Sequence, residues 1–267
     1  MSDHLLRSQV QHLGQAVSRH LFTERVLARP LGKRVYLGLY RGFKFLFESR
    51  DLKQLGALIP PGSTVLDIGA NVGVTAAFFR QAVGPEGRVL AFEPDPIMVD
   101  VFQFHLKQRG LDRIQLFPVA LGAQDGVEQL FQNASNRADN RMVLDAEGMT
   151  HTKQIAVQVR SLSSLAQESP ELFQNVRFIK IDVQGYEYPV LSGMSEWLQG
   201  LTQKPVIHME VWPYGLKKAG SSAKELLALC ARLGYEGAAD TLQKVEAIEQ
   251  TDAYMDVTLT PTPASSV

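Results

Sequence analysis

Between residues 64 and 119 short apolar runs alternate with longer segments of helical spacing, and this pattern leaves few folds open. Residues 64–68, 88–92 and 114–119 read as strands, and residues 74–83 and 97–109 as helices, the second stopped by Gly110. Strands alternating with helices specify βαβ units and a parallel sheet. The alternation resumes with a strand at 176–183, a helix at 188–198 with Pro189 in its first turn, a strand at 206–211 and a helix at 223–233. Two more strands are expected near 243–247 and 254–259. With 267 residues, 45% of them hydrophobic, the chain suits one α/β domain with additions.

The flanks are less regular. Leu6, Val10, Leu13, Val17 and Leu21 recur at steps of three and four, a helical stripe within residues 4–28. Residues 35–48 are aromatic-rich and broken by Gly38 and Gly42, which suggests one or two short strands. A short helix at 51–59 should stop at Pro60-Pro61-Gly62. Strands at 127–131 and 155–159 enclose the polar stretch 133–141, which its length and Asn/Asp/Arg content mark as a loop over a ligand pocket. The expected organisation is an extension at 1–60 packed on the core, a domain at 61–260 and a disordered tail at 261–267.

Charge is uneven. The chain carries 27 Lys+Arg and 28 Asp+Glu, a net of −1, which disfavours gripping nucleic acid through bulk charge. Residues 1–50 hold nine of the basic and three of the acidic residues, so a basic arm precedes an acidic body. That arm docks on its own domain or meets an anionic substrate or membrane surface. No apolar run approaches the roughly 20 residues of a membrane span. Cys230 is the single cysteine, set among helix-spaced apolar residues, and reads as a small buried hydrophobe. No secretory signal is legible, so a cytoplasmic protein is expected, with the N-terminal helix available for homo-oligomer contacts.

The chemistry concentrates at strand ends. Val65-Leu-Asp-Ile-Gly-Ala-Asn-Val-Gly73 ends a strand in Asp67, turns through Gly69, Ala70 and Asn71, and opens a helix at Gly73. Such a turn presents bare backbone and a helix N-terminus to a ligand. A dinucleotide pyrophosphate would be repelled by Asp67, and Asn71 stands where its fingerprint wants glycine. The ammonium and sulfonium of S-adenosyl-L-methionine suit that carboxylate. The next strand ends in Phe92-Glu93-Pro94, and Glu93 can accept both hydroxyls of a ribose. The third ends at Ala120, small enough for close approach of an adenine. Asp182, Glu187 and Glu210 lie at or just past the ends of the last two parallel strands. Carboxylates converging there can orient a hydroxyl, hold a metal, or act as a base. His208 alternates with Met209 and reads as a core or helix-facing histidine. No metal-binding, phosphate-loop or nucleophile-elbow motif occurs.

These segments resemble the FkbM family of S-adenosylmethionine-dependent methyltransferases. The resemblance rests on Leu66-Asp-Ile-Gly-Ala-Asn-Val-Gly73, Ala91-Phe-Glu-Pro94, Val119-Ala-Leu121, Ile179-Lys-Ile-Asp-Val-Gln-Gly-Tyr-Glu187 and Met209-Glu210, in the family's order and spacing. It implies a class I methyltransferase fold, a Rossmann-like three-layer sandwich with a mostly parallel seven-stranded sheet. It also implies methylation of a hydroxyl on a small molecule, natural product or sugar. Gln184 stands where many members carry glutamate. Asp182, Glu210 and Glu187 are the candidate catalytic residues. Asp67, Gly69, Ala70, Asn71, Gly73, Glu93, Pro94 and Ala120 are the candidates for the cofactor, with no metal expected. A protein that binds S-adenosylmethionine without turnover is the competing reading, and an NAD enzyme is disfavoured by Asp67 and Asn71.

Overall fold

Mostly apolar strand runs find their place at the centre of a sheet. In the computed structural model, which describes residues 23–133, 140–142, 152–249, 251 and 253–263, β1 (Thr64–Ile68) is buried along its whole length. It pairs in parallel with β2 (Arg88–Phe92) on one side and β7 (Val176–Ile181) on the other. β3 (Ile114–Phe117) extends the sheet beyond β2, and β8 (Val206–Val211) extends it beyond β7, both in parallel. Beyond β8 come β10 (Met255–Pro261), antiparallel to it, and then the short β9 (Tyr235–Glu236). The sheet is thus seven-stranded with the order β3-β2-β1-β7-β8-β10-β9. The order reverses at β1, so the crevice for a ligand opens where β1 and β7 diverge.

Helices cover both faces. α1 (Glu24–Leu27), α2 (Pro30–Ala57), α3 (Val74–Ala82) and α4 (Pro96–Arg109) lie on one side. There Phe79 and Phe102 pack on Val65, Val89, Ala91 and Phe178. Leu27, Tyr36 and Leu37 close a smaller cluster with Val72, Met98 and Val101. The other side holds α5 (Leu162–Glu168), α6 (Glu187–Gly193), α7 (Ser195–Gly200) and α9 (Ala223–Arg232). Their apolar residues, Cys230 included, share one core with Leu66, Ile68, Ile179, Ile181 and Met209. α8 (Pro213–Lys218) and α10 (Thr241–Ile248) complete the chain.

A second sheet, in the order β4-β6-β5, is inserted between β3 and β7. β4 (Ala120–Leu121) runs parallel to β6 (Thr152–Arg160), and β5 (Gly126–Asn133) antiparallel to it.

Four expectations are corrected. Residues 35–48 are helical, and the separate helix expected at 51–59 is the end of the same continuous α2. Residues 243–247 lie in α10, because Thr241 and Val245, four apart, both turn to the core. The helix expected at 188–198 is two, α6 and α7, separated at Met194. The stripe expected at 4–21, residues 134–139 of the polar loop, and the last four residues of the tail lie outside the described residues.

Candidate active site

The turn after β1 is built from residues in the left-handed region: Gly69 (φ 76°), Asn71 (φ 51°) and Gly73 (φ 74°). Glycine is required at two of them for space as well as conformation. A Cβ on Gly69 would lie 1.9 Å from the Asp182 carbonyl oxygen, and one on Gly73 would strike the Phe102 ring. The turn is pinned to β2, since the Gly69 and Ala70 N–H groups both donate to the Phe92 carbonyl, at 3.1 and 3.0 Å.

Glu93 closes the same corner. Its Oε2 accepts the Asn71 N–H at 2.8 Å and its Oε1 the Asp95 N–H at 2.9 Å. Each oxygen keeps a free lone pair, and burial pushes the carboxyl up to about 7. Pro94, next in sequence, lines a cleft of about 390 Å³ between α4 and β6. Ala120 sits in β4, and its side chain packs on Leu130, Val157 and Val159, leaving only its backbone for a ligand.

Asp67 is completely buried, and neither carboxylate oxygen has a hydrogen-bond partner among the described residues. Its nearest cation is Lys180 Nζ, 3.7 Å from Oδ1. Burial raises the Asp67 pKa, and Lys180 opposes that rise. The Asn71 Oδ1, in the same turn, is also buried without a partner.

On β7 and the residue that follows it, Lys180 and Asp182 share a face because strand side chains alternate. Lys180 Nζ stands 3.0 Å from Asp182 Oδ2 and donates to the Gly69 carbonyl at 3.3 Å. Burial pushes Asp182 up, but Lys180, Lys44 and Gln184 together bring it below the usual carboxylate range. Gln184 has a left-handed backbone (φ 55°) and turns its amide back over the strand ends. Its Nε2 donates to Asp182 Oδ1 at 2.8 Å and to Glu210 Oε1 at 3.0 Å. Burial, followed by repulsion from Asp182, holds Glu210 well above its ordinary pKa.

Glu187 is placed differently. It is fully buried, and its Oε1 accepts the N–H groups of Val183 and Gly185, at 3.2 Å each. It braces the 183–185 loop from behind, with burial pushing it to about 7. The structure brings Asp182 and Glu210 together through Gln184 and leaves Glu187 out of that pair.

The helical side of the crevice is polar as well. His208 lies on the face expected, bonded through Nδ1 to Thr258 Oγ1 at 3.0 Å, and burial lowers it to about 4. Lys44 on α2 pairs with Glu48, and its charge reaches Asp182.

Three contributors have no site role in the sequence analysis. Asp95 caps α4 and also accepts from Gln132 and Asn140, tying the second sheet to the end of β2. The Asp95-Pro96 pair, an N-cap followed by proline at the first helical position, was the available signal. Lys180 was signalled by its two-residue spacing from Asp182. Arg141 stacks 4.3 Å from the Trp212 ring, next to Asn140, so neighbouring residues reach the ends of both β2 and β8. No local pattern announced that contact.

Strand order, strand-end acids and glycine turn together define a class I methyltransferase domain. Residues 67–236 match the methyltransferase FkbM domain, and the chain belongs to that family, whose methyl donor is S-adenosylmethionine. Among curated relatives, "Methyltransferase 1" of Beauveria bassiana is 26% identical over 170 residues, 57% of this chain and 67% of that protein. The AMB antimetabolite synthetase AmbE of Pseudomonas aeruginosa is 26% identical over 255 residues, 84% of this chain but only 12% of that much longer protein. A SAM-dependent methyltransferase from Aquifex aeolicus aligns with 81% of this chain and 90% of its own, at 14% identity and a TM-score of 0.46.

Proposed function

We propose that this methyltransferase is O-directed and transfers its methyl group to a hydroxyl of a small molecule or glycan, with Asp182 and Glu210 serving the acceptor. The observation that carries the reading is the Asp182–Gln184–Glu210 bridge, set beside the turn that would hold the donor.

The residues present fit S-adenosylmethionine. Asp67 and Asn71 leave three buried acceptor oxygens without hydrogen-bond partners in the glycine turn, which suits a cationic ligand end. Glu93, with a lone pair left on each oxygen, suits a ribose diol. When bound, the cofactor supplies a methyl group activated by its sulfonium.

The protein's remaining task is to align the acceptor oxygen and take its proton. The two carboxyl groups divide that work. Asp182, held ionised by Lys180, accepts a hydrogen bond from the incoming hydroxyl and fixes its direction. Asp182 receives that hydrogen-bonded proton as the hydroxyl oxygen is methylated, while Glu210, its carboxyl held above its ordinary pKa by burial, lies beside it to hydrogen-bond the acceptor. Gln184 keeps the two from collapsing onto each other by giving one amide hydrogen to each. Its N–H donors occupy the place between the carboxylates that a bridging cation would need, so this arrangement calls for no metal.

The test is a methyl-transfer assay with labelled cofactor against a panel of hydroxyl, amine and carboxylate acceptors. Label on a hydroxyl oxygen, lost in Asp182→Asn, supports the reading. Label on nitrogen, or an unaffected variant, overturns it.

A further inference from the structure

The 28-residue helix α2 is apolar on the wrong side as well as the right one. Its inner face buries Tyr36 and Leu37. The opposite face carries Leu31, Val35, Leu39, Phe45 and Leu46, exposed by 73%, 48%, 54%, 73% and 72%. Gly38 and Gly42 lie between them with nothing near enough to touch an added Cβ. At 100° per residue these positions fall in one arc about 120° wide and about 22 Å long. An outward apolar stripe of this length rimmed by polar residues marks an interaction surface.

The surroundings of the stripe say what covers it. Arg34 and Arg41 run along one edge, Arg50 and Lys53 close its C-terminal end, and Arg25 and Arg29 its N-terminal end; all six are exposed. Among the described residues none of them forms an ion pair. The acidic residues of α2 point elsewhere: Glu48 is held by Lys44, and Asp51 lies on the side whose charge reaches His208 and Asp256. Partial desolvation, and after it the like charge of Arg109 on α4, hold the Arg41 guanidinium below its ordinary value.

We propose that the outer face of α2 lies on an anionic lipid bilayer, the five apolar side chains entering the acyl boundary and the basic rim meeting headgroup phosphates. No described helix is long and apolar enough to cross a membrane, so the contact is interfacial. A second copy of the chain fits less well. Antiparallel pairing would set the Arg34–Arg41 edge against its own counterpart, like charge against like. The proposal does not depend on which atom receives the methyl group.

The experiment is co-sedimentation of the full chain with phosphatidylcholine vesicles, with and without phosphatidylglycerol. Binding should be roughly ten-fold or more tighter to the anionic vesicles and weaken as salt rises. Phe45→Ser with Leu46→Ser, and separately Arg34→Glu with Arg41→Glu, should each weaken it by roughly ten-fold. Both pairs should leave the melting temperature and S-adenosylhomocysteine binding near wild type, since these side chains face outward. Failure to sediment, equal binding to neutral vesicles, or variants that bind like wild type would each overturn the proposal. So would a concentration-dependent dimer that Phe45→Ser and Leu46→Ser abolish in the absence of lipid, which would put a second copy on this face.

Discussion

The amide nitrogen of Gln184 lies 3.0 Å from Glu210 Oε1, while its other hydrogen serves Asp182. One neutral side chain thereby couples two carboxyl groups on adjacent strands whose pKa values are driven in opposite directions. Separated pKa values in a neighbouring pair are what allow the ionised group to accept a proton while the other keeps its own.

If that division holds, Asp182→Asn and Glu210→Gln will each lower turnover by at least about 10²-fold and leave S-adenosylmethionine affinity within a few-fold. The amides preserve shape, so both variants should fold. Single-turnover kinetics alongside cofactor titration separate the two effects, and full activity in both variants would remove the pair from the mechanism.

Cofactor affinity should answer to a different pair. Asp67→Ala removes the buried carboxylate of the glycine turn, and Glu93→Ala removes the acceptor expected to face the ribose. Each loss of charged hydrogen bonding should cost about 1.5–3 kcal/mol, or roughly ten- to hundred-fold in affinity. Calorimetric titration with S-adenosylhomocysteine measures it, with the melting temperature monitored because Glu93 also holds Asn71 and Asp95. Folded variants that bind normally would show that neither carboxylate touches the ligand.

Much of this arrangement was legible, and the misreadings have physical causes. Short apolar runs with Asp67, Glu93 and Glu210 at or near their ends exposed the sheet and its ligand edge, because strand ends and turn chemistry are local properties. Residues 35–48 misled because Val35, Tyr36, Phe43, Phe45 and Phe47 favour strands, and Gly38 and Gly42 each cost a helix about 1 kcal/mol. Packing of Tyr36 and Leu37 against Val72, Met98 and Val101 overrides that propensity. The Gln184 bridge could not be read, since it depends on a left-handed backbone and a partner 26 residues away. Glu187 was grouped with the other acids by its distance along the chain, but the turn at Gln184 and Gly185 folds it inward.

Lys180 is the only described cation within ion-pair distance of Asp67 and also neutralises Asp182. Replacing it with methionine strands two carboxylates, one of them wholly buried. Breaking a buried pair from one side costs about 3–5 kcal/mol, so Lys180→Met should lower the urea midpoint sharply. Restoration of the midpoint in Lys180→Met with Asp67→Asn would locate the penalty at the stranded charge. Failure of the double variant to recover would place it in lost packing instead.

Glu187 offers a test that separates bracing from catalysis. Burial raises its pKa from 4.5 to about 7, so between these values the native chain holds a proton that the unfolded chain has released. Its contribution to stability is therefore full below pH 4.5 and is lost as the pH rises through about 7. Glu187→Gln cannot ionise, yet its Oε1 can still accept from Val183 and Gly185. The stability of this variant relative to wild type should accordingly improve by up to about 3 kcal/mol between acidic and mildly alkaline pH. Subtracting the two pH profiles cancels His208, whose depressed pKa acts in the opposite direction. Turnover at neutral pH should stay within a few-fold of wild type if the residue only braces the loop. A variant whose relative stability ignores pH would show that Glu187 titrates normally, and a loss of turnover without loss of cofactor binding would return it to the acceptor site.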